Sequence, residues 1–261
     1  MKKKNDDINA VVFDKINLPD GYYWDFNLEE KAKETNALYS KAWQRYYLEE
    51  GDIESEVEED PSSEVPFKYF FWGIRDNKEL IAAVSMISIL TESDFKKLPD
   101  EGWSSIQKMC KKNGTHDTIS LLSAAIHPKA QGLGISKILI RQVKENLRKM
   151  GYKFLVAPIR PSLKSNYPNM SIEQYLNMES EKGEIFDPWL RVHIKLGAEK
   201  LNICPNSYCV KASLKKWEEW LGHSIPSGEK EFLPTQALNP VIIEGDIGTY
   251  IEPNVWVKHT L

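Results

Sequence analysis

Pro128-Lys-Ala-Gln131-Gly132-Leu-Gly134-Ile-Ser136-Lys-Ile-Leu139 is the stretch whose reading decides the fold. Before it, Thr118-Ile-Ser-Leu-Leu-Ser-Ala-Ala-Ile126 is rich in β-branched and small apolar residues and reads as a buried strand. After it, Ile135, Ile138, Leu139, Gln142, Val143 and Leu147 recur with helical spacing. The pattern stops at Met150-Gly151, a helix C-cap signal. A glycine-bearing loop therefore joins a strand to a helix N-terminus. Such a junction offers free backbone N–H groups and the positive end of the helix dipole to an anion. Glycine at 132 and 134 leaves room for a phosphate where a Cβ would obstruct it.

The loop is not a Walker loop, because no Gly-Lys-Ser/Thr follows. Gly132-Leu-Gly134 also lacks the third glycine of a dinucleotide fingerprint. Gln131-x-x-Gly134-x-Ser136 resembles the acyl-CoA pyrophosphate loop of the GNAT acyltransferases, with Ser136 in a position the family gives to Gly or Ala. A second stretch, Asp187-Pro-Trp-Leu-Arg-Val-His193-Ile-Lys-Leu-Gly197-Ala198-Glu199, reads as a helix with Asp187 as N-cap, Pro188 at the first turn and Gly197 at the C-cap. It is similar to the later GNAT motif that ends in Gly-Phe, with Gly197 at the glycine and Ala198 at the Phe. Between the two lies a strand, Tyr152 to Ile159.

The resemblance implies an α/β (α+β) GNAT fold, with a mixed, mainly antiparallel central sheet flanked by helices. The sequence reads as one domain over residues 1–261, with a core at about 66–215, an N-terminal helical segment at 1–65 and an extra C-terminal segment at 216–261. The resemblance also implies acyl-CoA, most simply acetyl-CoA, as co-substrate rather than a resident cofactor. Ala124, Ala125 and Ile126 would offer backbone contacts to its pantetheine, and Gln131, Gly132, Leu133, Gly134, Ile135 and Ser136 would hold its pyrophosphate. An amine acceptor, small molecule or protein, would attack the acyl carbonyl directly.

Composition fits this reading. The net charge of −4 and pI near 5.8 argue against nucleic acid as a partner. No apolar region follows the basic Met-Lys-Lys-Lys start and no apolar run is long enough to span a bilayer, so the expectation is a cytoplasmic protein without a membrane partner. Cys110, Cys204 and Cys209 read as reduced thiols. The Cys204-x4-Cys209 spacing lacks companions for a metal site.

The remaining elements follow from pattern. Leu28–Leu48 reads as a helix capped by Asn27 with Glu30, and Asp52–Glu64 as an acidic mobile loop. Lys68–Ile74 and Leu80–Ile87 read as a hairpin turning at Asp76-Asn77. Thr91–Lys112 reads as a helix broken near Pro99-Asp-Glu-Gly102. Ser171–Ser180 is a short helix, Tyr208–Leu214 a strand and Leu214–Leu221 a helix.

The Pro-rich stretch Ala157-Pro-Ile-Arg160-Pro161-Ser162-Leu-Lys164-Ser-Asn-Tyr167-Pro168 and the C-terminal tail resemble long stand-alone bacterial GNAT proteins. They are also similar to GNAT-like domains that open polyketide synthase lines. That second likeness implies malonyl-CoA decarboxylation with a carrier-protein partner, using Ser162 and His193. In the transferase reading, His193 stands where relatives place a tyrosine general acid. As a lone histidine beside Trp189, Leu190 and Val192, it reads equally as a core residue. Arg160 and Tyr167 are substrate candidates, and Arg160 and Lys164 read otherwise as surface charge. His127 is structural or pocket-lining. His116, His223 and His259 read as solvated, and Trp72 and Trp103 as core or pocket wall. A CoA-binding module without catalysis is the alternative outside enzymes.

Overall fold

The computed structural model describes residues 15–28, 31–49, 51–53, 68–91, 95–110 and 114–261. Its elements in chain order are β1 (Tyr23–Asp25), α1 (Ala32–Ala42), α2 (Arg45–Leu48), β2 (Tyr69–Arg75), β3 (Leu80–Ile89), α3 (Gly102–Cys110), β4 (Thr118–Ile126), α4 (Ile135–Lys149), β5 (Phe154–Ile159), α5 (Ile172–Leu176), α6 (Pro188–Lys195), β6 (Glu199–Ser213), α7 (Leu214–Leu221), β7 (Glu231–Phe232), β8 (Val241–Glu244) and β9 (Ile247–Thr260). The strands form one sheet in the order β1-β2-β3-β4-β5-β9-β8-β7, with β6 paired to β9. Only β4 and β5 run parallel, and the other pairs are antiparallel. This is the mixed, mainly antiparallel sheet the sequence implied.

Alternation along the strands assigns the two faces. Leu155, Ala157, Val255 and Val257 pack with Ile135, Leu139 and Val143 of α4 and Leu190 of α6. The intervening Val156 and Trp256 point the other way, to Ile106 and Met109 of α3. Burying each such aliphatic side chain contributes about 2 kcal/mol. The sheet is thus covered on both faces where it carries β4, β5 and β9.

The local signals for the hairpin, β4, α4, α6 and α7 are realised. Asp76 Oδ1 accepts from the N–H groups of Lys78 and Glu79, each at 2.8 Å, which closes the β2–β3 turn. Ser171 and Gln174 form a reciprocal capping box at α5.

Three expectations change. The helix read over Leu28–Leu48 is two helices, because Trp43 and Gln44 are extended. The break lets α1 lie on β3 and β4 while Tyr46 of α2 packs with Trp217, Val210 and Tyr250. Asn27 is not its cap: its N–H donates to Asp25 Oδ1, and the helix starts after Lys31, with Glu30 outside the described residues.

Of Thr91–Lys112, only Gly102–Cys110 is helical among the described residues. The preceding segment bonds sideways instead. Leu98 exchanges two hydrogen bonds with the Asn202 side chain, and the Pro99 carbonyl accepts from Trp256 Nε1. Gly102 has φ +42 and lies against Ser207 and Cys204 so closely that any Cβ would collide with them. The strand read from Tyr208 begins at Glu199 and bends at a bulge between Cys204 and Tyr208. Most of the acidic stretch Asp52–Glu64 lies outside the described residues.

The C-terminal segment supplies β8 and β9, and β9 lies in the middle of the sheet. Its second half pairs with β5 and β6 at once, and its first half with β8 and β6. Where β9 exchanges β5 for β8, one edge opens around Glu252. Cys110 is buried, Cys204 is a buried free thiol and Cys209 is an exposed one. Among the described residues no helix is long and apolar enough to cross a membrane.

Candidate active site

The glycine loop forms as its sequence dictates. Pro128–Ala130 make one 3-10 turn, with His127 Nδ1 accepting from the Lys129 N–H at 3.1 Å. His127 is therefore structural, and its other nitrogen lies 3.2 Å from Lys41 Nζ. Gly132 and Gly134 have φ +79 and +75, and a Cβ on either would meet nothing within 4 Å. Gly134 is the N-cap of α4 and offers no side-chain cap. Among the described residues, no backbone acceptor meets the N–H groups of residues 132–136. Open space, bare donors and a helix dipole coincide there, which is the arrangement a phosphate needs. Gln131 braces the loop, its amide donating to the Ile126 carbonyl at 3.4 Å.

The strand leading into the loop parts from its neighbour. β4 pairs with β5 only at Thr118–Ser120, opposite Phe154–Val156. Beyond that point residues 121–126, apart from Leu122 at a bulge, are paired to β3 alone, and Ala157–Ile159 to β9 alone. The two facing edges are unpaired within the sheet. Ala124, Ala125 and Ile126 occupy the β4 edge of this opening.

Side chains close around it. Tyr39 of α1 and Ser85 of β3 both hydrogen-bond Ser123 Oγ at 2.6 Å. Trp103 Nε1 donates to the Leu122 carbonyl at 2.8 Å. Trp103 is therefore an exposed ring tied to β4 beside the opening, whereas Trp72 is core.

Arg160, one residue past β5, donates from Nε to Glu252 Oε2 at 3.1 Å and from Nη2 to Tyr47 Oη at 3.0 Å and to the Gln236 carbonyl. Its Nη1 meets no acceptor among the described residues, and its side chain keeps 30% exposure. Burial disfavours its charge, but Glu252 and Tyr47 more than offset that, so its pKa is raised. Glu252 is nearly fully buried and also accepts from Tyr47 and Tyr250 hydroxyls. Burial, reinforced by Glu252, raises both phenols.

Lys164 is not surface charge either. It is fully buried, with Nζ donating to the carbonyls of Tyr167 at 2.8 Å and Leu238 at 3.0 Å. It fastens the Arg160–Tyr167 turn to the loop that carries Gln236. Tyr167 packs its ring against Tyr175 and Phe186.

Ser162 and His193 have separate partners. Ser162 Oγ lies 3.3 Å from Asp187 Oδ2, which also accepts from Tyr175 Oη at 2.9 Å, while Asp187 Oδ1 caps α6 through the N–H groups of Trp189 and Leu190. His193 is fully buried, with Nδ1 2.9 Å from His259 Nε2 and its ring edge-on to Trp189. Burial, with His259 and Lys144 nearby, depresses its pKa well below the usual imidazole value. Burial depresses His259 to about 4. His259 is therefore not solvated as a residue near the chain end would be, because β9 carries it into the interior. No hydrogen bond or ring contact joins His193 to Ser162 among the described residues. This placement favours the core-histidine reading of His193.

Residues 31–166, a little over half of the chain, match the acetyltransferase (GNAT) family. The chain belongs to the GNAT family. It is an acyl-CoA-dependent acyltransferase, with acetyl-CoA or another acyl-CoA as co-substrate. Its sequence is 28% identical over 211 residues to the arginine N-acetyltransferase avaD of Aspergillus versicolor, covering 71% of this chain and 73% of that protein. Its fold is similar to the loading GNATL domain of CurA from Lyngbya majuscula, with TM-score 0.56 and 15% identity over 92% of this chain and 97% of that one. It is also similar to the GphF GNAT-like decarboxylase in complex with isobutyryl-CoA, with TM-score 0.54 and 13% identity over 91% of this chain and 98% of that one. At these identities the two structures establish the GNAT fold alone.

Sequence reasoning did not find Tyr39, Tyr47, Ser123, Gln236 or Glu252. Glu252 carried a signal: it interrupts the otherwise uncharged run Ile247–Trp256, and a carboxylate inside such a strand requires a buried partner.

Proposed function

We propose that this GNAT chain transfers an acetyl group from acetyl-CoA to an amine by direct attack. The observation that carries this is the parting of β4 from β5 directly ahead of the open glycine loop. In this reading the pyrophosphate lies on the N–H groups of residues 132–136, and the pantetheine runs along the free edge at Ala124, Ala125 and Ile126. Gln131 holds the loop shape, with Leu133, Ile135 and Ser136 completing it. The acyl carbonyl enters the opening, where backbone N–H groups polarise it. The amine nitrogen attacks the carbonyl carbon, the C–S bond breaks, and the leaving thiolate takes up a proton while the amine gives one up. No covalent enzyme intermediate forms.

The likeness to an arginine N-acetyltransferase supports a nitrogen acceptor. The separate partners of Ser162 and His193 support transfer over malonyl decarboxylation with a carrier protein, which would need the two side chains at one acyl group. The reading takes residues 1–261 as a single unit, which the central position of β9 supports. Thiol release from acetyl-CoA against an amine panel, run beside CO2 release from malonyl-CoA, tests it. Amine-dependent thiol release is expected. CO2 release without amine dependence would replace it with the decarboxylase reading.

A further inference from the structure

Five aromatic side chains from three separate parts of the chain touch in succession beside the opening. Tyr39 stacks on Trp43 at 5.2 Å, Trp43 meets Tyr47 at 6.5 Å, Tyr47 meets Tyr208 at 5.5 Å, and Tyr208 meets Trp103 edge-on at 5.5 Å. The two ends of the row return to one strand. Tyr39 Oη bonds Ser123 Oγ, and Trp103 Nε1 bonds the Leu122 carbonyl. Leu122 and Ser123 are consecutive residues of β4, in the stretch unpaired to β5. The row therefore closes into a ring whose sixth side is the free part of β4. The helix break at Trp43–Gln44 puts Tyr47 in this ring, and the β6 bulge ending at Tyr208 brings that residue to it. None of the five is fully buried, and Trp103 is 41% exposed, so solvent reaches the ring.

We propose that this ring is the acceptor pocket and that it admits a slim organic cation, an alkylammonium or alkylguanidinium group. The inference rests on the acyltransferase reading and adds the class of acceptor to it. Aromatic faces attract cations, the more so when partly desolvated. Burial raises the phenols of Tyr39 and Tyr47 and lifts Tyr208 to about 12, so they remain neutral and attract a cation through their rings, not as phenolates. Arg160 and Glu252, the charges beside Tyr47, neutralise each other, and Arg160 already occupies the Tyr47 face at 5.2 Å. Phe71 stacks on Tyr39 as Trp43 does, and Tyr46 and Arg160 lie against Tyr47, so what is left for a ligand is the aromatic surface of Trp43, Tyr208 and Trp103, not a charged socket.

Calorimetric titration of the full chain, with and without CoA, compares butylguanidine with its neutral isostere butylurea. Butylguanidine is expected to bind about tenfold more tightly, the ratio a partly desolvated cation–π contact gives. Trp43→Leu and Tyr208→Leu should each cut that ratio to below about threefold. Thermal unfolding of each variant confirms that it folds. Equal binding of the two probes, no binding of either at millimolar concentration, or an unchanged ratio in folded variants would overturn the cage. Failure of CoA itself to bind would instead remove the acyltransferase reading, and the probe ratio without CoA would still judge the ring.

Discussion

His193 Nδ1 and His259 Nε2 lie 2.9 Å apart with both rings fully buried, one on α6 and the other on β9. One ring donates and the other accepts, which requires the accepting imidazole to be neutral, and burial disfavours charge on either ring. The outer nitrogens, His193 Nε2 and His259 Nδ1, meet no hydrogen-bond partner among the described residues.

The pair makes stability depend on pH with a definite sign. Both folded pKa values are depressed, His259 to about 4, while an unfolded histidine titrates near 6.5. Between those values the unfolded chain binds more protons, so stability falls as pH drops from about 6.5 toward 4. Above pH 7 the pair adds no slope. Urea unfolding of wild type and His259→Gln between pH 4 and 8 should show a shallower acid decline in the variant. Parallel curves would contradict the buried neutral pair.

His193→Ala should cost about 2–4 kcal/mol of stability, because it opens a cavity and strands the His259 ring. Turnover per folded molecule and CoA affinity should stay close to wild type. A 10²–10⁴-fold loss of turnover in a folded protein would instead restore the general-acid role.

The histidine pair also marks where sequence reading stopped. The loop at Gln131–Ser136 and the Asp187-Pro188 cap were legible because each is a local event, set by glycine φ and by side-chain capping within a few residues. His259 was not, since its burial depends on β9 inserting between β5 and β6, which sets His259 opposite Leu155, far away in sequence. The same holds for Tyr39, Trp43 and Tyr47. Their spacing reads as the face of one helix, and only contacts to β4 and Tyr208 turn them into a pocket wall.

Arg160 and Glu252 should behave as a coupled pair. Glu252 is buried, so Arg160→Gln leaves its carboxylate short of a partner and should cost about 2–4 kcal/mol. Glu252→Gln should relieve part of that cost in the double variant. A double-mutant cycle with strictly additive losses would show that the two do not interact.

Lys164 is a positioning residue for the same wall. Lys164→Met preserves length and removes the bonds to the Tyr167 and Leu238 carbonyls. The acceptor KM should rise several-fold with CoA affinity unchanged, because only the Gln236 loop loosens. An equal loss in CoA affinity would mean that Lys164 supports the fold generally.

The central claim is that acyl-CoA lies on the glycine loop, and Gly134→Asn tests it most directly. Asparagine tolerates a φ near the +75 of Gly134, and its side chain enters a space where nothing lies within 4 Å, so the fold should survive. Calorimetric titration with CoA should show at least about a tenfold loss of affinity, a penalty near 1.4 kcal/mol, with the unfolding temperature little changed. Wild-type CoA affinity in the folded variant would contradict the assignment of the loop.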